Sequence, residues 1–138
     1  MNQTNQRTIL VAVNDIFFYT KLRDALKPQG YTLERARAQD EVREKASSVK
    51  PAAVVLNMND PSVDGLKALE ALRAEPGSKD LPVLAFANHE EVATWNRAKA
   101  LGVTKIVSRN EFSARTKDLV EEIMLNCTSS IQKSGIQN

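Results

Sequence analysis

Three short apolar runs, Thr8 to Val13 (TILVAV), Ala52 to Leu56 (AAVVL) and Pro82 to Phe86 (PVLAF), constrain this chain most strongly. Rich in β-branched residues and without polar alternation, they read as strands covered on both faces. Helix-patterned segments lie between them. Phe17 to Leu26 puts Phe18, Leu22, Ala25 and Leu26 on one stripe and closes at Pro28-Gln29-Gly30. Tyr31 to Ala36 alternates, as a second strand with one wetter face would. Asp40 can cap a short helix over Glu41 to Val49, ended by Pro51. Gly65 to Ala74, with Leu66, Leu69 and Leu72, is amphipathic and capped by Asp64. Asn88 followed by Glu91 resembles a capping box, opening a helix that runs to Leu101 and stops at Gly102. Lys105 to Ser108 makes a last strand, and Phe112 to Leu125 a last helix with Leu119, Val120, Ile123 and Met124 inward.

Five strands alternating with five helices predict an α/β fold, a doubly wound parallel sheet with helices on both faces. A length of 138 residues, 42% of them hydrophobic, suits one core. The domain is expected over 7–125, with polar, flexible tails at 1–6 and 128–138. No apolar run approaches the ~18–20 residues of a membrane span, and Met1 to Arg7 lacks a signal-like stretch, so a cytoplasmic protein with no membrane partner is expected. One cysteine (Cys127) and one histidine (His89) leave no disulfide framework and no Cys- or His-based metal site. A net charge of +2, with no basic block longer than a pair, argues against a nucleic-acid partner. Neither a Gly-rich phosphate loop nor a Ser/His/Asp set is present, so no enzyme activity is expected.

In such sheets, sites lie at the carboxyl ends of the strands. The loops there read Val13-Asn14-Asp15, Asn57 to Gly65 (NMNDPSVDG), Ala87-Asn88 and Ser108-Arg109-Asn110. At the strand-three exit, Asn57, Pro61, Asp64 and Gly65 keep the spacing of an aspartate, a proline four residues on and an Asp-Gly pair seven and eight on. Pro82-Val83 and Ala100-Leu101-Gly102 fall in register as well. Over about Arg7 to Leu125 the chain thereby resembles the response-regulator receiver domain of bacterial two-component signalling. That resemblance implies a flavodoxin-like sheet of strand order 2-1-3-4-5.

The departures from the family pattern are chemical. The resemblance puts Asn57 where the phospho-accepting aspartate would stand. An amide is neither a carboxylate nucleophile nor a good ligand for Mg2+. The acid pair after strand one falls on Val13 and Asn14, with Asp15 one place out of register. The hydroxyl residue after strand four corresponds to Ala87, the lysine after strand five to Arg109, and the switch aromatic to Ile106. Asn14, Asp15, Asn57, Ala87 and Arg109 thus form the expected degenerate phosphorylation pocket, with no catalytic residue, no metal and no cofactor. Asp15 against Arg109 sums to zero charge, which leaves little to attract a cation. Arg109 is expected to hydrogen-bond Asn57 or Asp15, or else to stay on the surface.

Asp64 reads as a helix cap, Asp60 as a turn former before Pro61, His89 as a solvated residue and Cys127 as a chance thiol. Helical spacing turns Val92, Trp95 and Lys99 outward. With Ile106 they make a candidate partner face, on which Trp95 either contacts a partner or lies half buried over its own helix. The expected function is an atypical pseudo-receiver of a two-component or phosphorelay system, acting by protein–protein contact without aspartyl phosphorylation. Its implied partners are a histidine kinase, another response regulator, or a second copy as a homodimer. Residues 126–138 are too few for an output domain of ~50 residues, so action in trans is expected. The alternatives are a residual Mg2+-dependent phospho-switch using Asp15 or Asp60, and a small-ligand or nucleic-acid binding module.

Overall fold

The computed structural model describes residues 7–125. The expected tails at 1–6 and 128–138, and Cys127, lie outside the described residues. The elements run β1 (Thr8–Ala12), α1 (Ile16–Leu26), a 3-10 turn (Lys27–Gln29), β2 (Thr32–Arg35), α2 (Gln39–Val49), β3 (Ala53–Asn57), α3 (Gly65–Ala74), β4 (Val83–Ala87), α4 (Val92–Ala100), β5 (Lys105–Ser108), α5 (Arg109–Ala114) and α6 (116–125). All four strand pairings are parallel and the order is β2-β1-β3-β4-β5. This is the flavodoxin-like, doubly wound sheet that the sequence led us to expect.

Both faces of the sheet are covered, which is why β1, β3 and β4 are apolar without alternation. Side chains two apart share a face. Ile9, Val11, Val55 and Phe86 therefore meet Phe18 and Leu22 of α1, Phe112 of α5 and Leu119 and Ile123 of α6. On the other face Leu10, Val54, Leu56 and Ala85 meet Val42 of α2, Leu69 and Leu72 of α3 and Ala98 of α4. The first layer is centred on stacked aromatics. Phe86 and Phe112 have centroids 4.1 Å apart, and Phe18 leans on Phe86 at 4.8 Å.

Three helix termini differ from expectation. Asp40 does not cap α2; Ala38 occupies the N-cap without a side-chain bond, and Asp40 and Glu41 lie in the first turn, where their charge complements the helix dipole. The Asn88/Glu91 capping box does not form, because Glu91 itself sits at the N-cap of α4 and its carboxylate accepts from Asn59 Nδ2 at 2.8 Å. The expected last helix is two, so the described residues hold six α-helices rather than five. Arg115 leaves helical geometry at the junction, and Thr116 Oγ1 donates to the Phe112 carbonyl at 2.8 Å. Arg115 also bridges Glu111 and Glu122 across the break. Its pKa is raised, chiefly by the hydrogen bond to Glu111, with desolvation opposing and Glu122 adding to the rise.

Candidate functional site

The carboxyl ends of β1 and β3 stand side by side, with Ala12 paired to Leu56, and Asn57 ends β3 opposite Phe86 of β4. Between the loops that follow lies a cleft of about 280 Å3, lined by Asn14, Asp15, Asn57, Asn59, Asp60 and Arg109 among others. Four of the five residues expected in the pocket are thus brought together. The fifth, Ala87, is fully buried at the end of β4 and is not part of this lining.

Within the cleft the side-chain oxygens of Asn57, Asp15 and Asp60 accept from backbone N–H groups. Asn57 is 6% exposed, and its Oδ1 accepts from the Asn59 backbone N–H at 2.9 Å. Asp15 caps α1, accepting from Phe17 N at 2.9 Å. Asn14 faces the other way, toward the β3 loop. Its backbone N–H donates to Asp60 Oδ2 at 2.8 Å, while Ser62 N donates to Asp60 Oδ1, also at 2.8 Å. Asp60 is only 7% exposed. It forms the expected turn, through an Asx-type bond to Ser62, and in addition ties the β1 loop to the β3 loop. That second role was missed, as was Asn59, whose Oδ1 accepts from Asn88 N at 2.7 Å and so links the β3 and β4 loops.

One electrostatic expectation changes, and of the two readings of Arg109 the surface one holds. The cleft contains two carboxylates, Asp15 and Asp60, against Arg109, so its formal charge is −1 and not zero. Asp60 joins because the turn folds its side chain inward. Arg109 hydrogen-bonds neither Asn57 nor Asp15. It is exposed, and its guanidinium carbon lies 5.3 Å from the centroid of Phe18.

The response regulator receiver domain pattern matches residues 9–123. This chain belongs to that family. Response regulator MprA of Mycobacterium ulcerans (strain Agy99) is 35% identical over 85 residues, which is 62% of this chain and 36% of that protein. Response regulator PleD of Caulobacter vibrioides (strain NA1000 / CB15N) is 35% identical over 72 residues, 49% of this chain and 16% of that protein. The match thus spans about a third or less of these curated relatives' own length. Among solved structures, NtrX from Brucella abortus has a TM-score of 0.78 at 18% identity, covering 94% of this chain and 29% of that one. Vibrio cholerae chemotaxis protein CheY4 has a TM-score of 0.74 at 19% identity, covering 84% of this chain and 97% of that one. The likeness to these two structures is one of fold.

A phosphorylated receiver relies on carboxylates that hold a divalent cation, and the donor set of this receiver does not fit one. A hard cation takes several oxygen ligands. Here only two carboxylates line the cleft: Asp60 holds an N–H group on each oxygen and Asp15 holds one on Oδ1, while Asn57 turns its neutral amide oxygen to Asn59 N. Among the described residues no three acidic, histidine or cysteine side chains gather at metal-ligand spacing. None of the described helices is long and apolar enough to cross a membrane.

The α4–β5 region of this receiver differs from the expected partner face at one residue. Ile106 is buried, 8% exposed, because β5 turns it into the core beside Ala85 and Ala98. Val92 is 62% exposed and Lys99 is exposed. Trp95 is half buried against the second core layer, with its indole N–H donating to the Asn88 carbonyl at 3.0 Å.

Proposed function

We propose that this receiver is a pseudo-receiver of a bacterial two-component or phosphorelay system, signalling by protein–protein contact without aspartyl phosphorylation and without enzymatic activity. The observation that carries this reading is Asn57. It ends β3, where the family pattern has its phospho-acceptor, and its amide oxygen is turned onto the neighbouring Asn59 N–H. An amide offers no carboxylate nucleophile for an acyl phosphate. Asp60, the nearest buried acid in sequence, is held by Asn14 and Ser62 and does not replace it. Ala87 supplies no hydroxyl, and Arg109, at the edge of the cleft, lies against Phe18 and hydrogen-bonds neither Asn57 nor Asp15. Asn14, Asp15, Asn57 and Arg109, with Ala87 buried at the end of β4, are the proposed degenerate phosphorylation pocket, for which neither metal nor cofactor is proposed.

Without a phosphate to favour a second state, a partner alone can shift the receiver between conformations, by binding one better than the other. A histidine kinase, another response regulator or a second copy of the chain fits the family. Val92, Trp95 and Lys99 are the proposed contact residues, with Ile106 removed from the set. Titration of beryllofluoride with Mg2+, followed by backbone amide NMR, tests the reading. The expected result is an unchanged spectrum; saturable shifts over Asn57 to Ser62 would restore the phospho-switch alternative.

A further inference from the structure

On the other side of Arg109 a second cleft, of about 550 Å3, opens between the start of α1 and the loops after β4 and β5. That volume falls within the ~300–1,000 Å3 of small-molecule sites. Its lining holds Arg109 and His89 and no acidic residue. The adjoining clefts differ: one includes Asp15 and Asp60, the other Asp24 and Asp118. Arg109 takes part in none of the ion pairs among the described residues, so no carboxylate holds its guanidinium directly.

Several donors around it are also unspent. Ser108 Oγ accepts from Glu111 N at 3.1 Å, which leaves its hydroxyl hydrogen to donate outward. Asn88 uses its amide oxygen on Glu90 N, leaving its NH2 group without a protein acceptor. Asn110 and Ser113 line the same space. The opposite wall is aromatic. Phe17 is 55% exposed and sits edge-on to Phe18, ring centroids 5.0 Å apart. An exposed phenylalanine lining the same cleft as an exposed guanidinium with no ion-pair partner suits a ligand that has both a flat ring and an anionic group.

We propose that this cleft binds a small aromatic anion of the nucleoside monophosphate class, with the phosphate on Arg109, Ser108 and Asn110 and the ring against Phe17. The proposal is independent of the reading of Asn57, which does not line this cleft. Isothermal titration calorimetry of the full chain with adenosine 5′-monophosphate, adenosine and inorganic phosphate tests it. None of these is an activated phosphoryl donor. The nucleotide is expected to bind saturably, and adenosine and phosphate each ~10-fold or more weaker. Arg109→Ala and Phe17→Ala are each expected to weaken nucleotide binding ~10-fold or more, with circular dichroism unchanged because both side chains are exposed. Absence of saturation at millimolar nucleotide, a nucleotide no tighter than phosphate, or an undiminished affinity in Arg109→Ala would overturn the proposal.

Discussion

The two clefts that share Arg109 solve the same problem in opposite ways. On the β1–β3 side the buried acid is spent on the fold, and the exposed one caps a helix. Asp60 joins two loops, Asp15 caps its own helix, and Asn57 closes on Asn59. On the β4–β5 side the cation lies against an aromatic ring, and residues with hydroxyl and amide donors line the open cleft. One half ties its loops together; the other keeps unspent polar groups, to which we assign the proposed ligand recognition. The difference follows from where acids remain in the sequence, since a carboxylate without a cation must find N–H donors when it is buried.

The contrast can be tested by stability. Asp60→Ala removes the acceptor from two backbone N–H groups, and unfolding in urea is expected to show a loss of about 3 kcal/mol. A loss below about 1 kcal/mol would mean that the β1–β3 half is not held together by this carboxylate. Gly65→Ala strikes the same half. A Cβ there would displace the Met58 side chain at its Sδ and come within 3.2 Å of Met58 Cα, so the start of α3 and the β3 exit must part by a few tenths of an ångström. Its cost is expected at about 1–3 kcal/mol, read in the same denaturation. Arg109→Ala should do least. Its guanidinium loses only an exposed contact with Phe18, worth about 0.5 kcal/mol, and a loss as large as that of Asp60→Ala would erase the distinction between the halves.

Much of this was legible in the sequence, and the failures share a cause. The strands announced themselves because burial on both faces removes alternation, and Asp64 was readable as a cap because its acceptor reaches Lys67 N, three residues on. Asp60 was read only as a turn former because the bond that gives it a wider role goes to Asn14, 46 residues away. The split between α5 and α6 carries no glycine or proline; it is made by a threonine hydroxyl taking a helix carbonyl and by Arg115 spanning two glutamates. Ile106 was placed outward by analogy with a switch aromatic, whereas the parity of β5 turns it into the core. Local chemistry was readable; contacts between distant segments were not.

The proposed function requires that the β3 exit of this receiver perform no phosphoryl chemistry, and that Asn57 not be the sole reason. Intact-protein mass spectrometry after incubation with acetyl phosphate and Mg2+ tests it most directly, on the natural chain and on Asn57→Asp. Neither is expected to gain a phosphoryl group, because Asn14, Ala87 and Arg109 leave even an aspartate at position 57 without its supporting groups. A phosphoryl adduct on either protein would contradict the account.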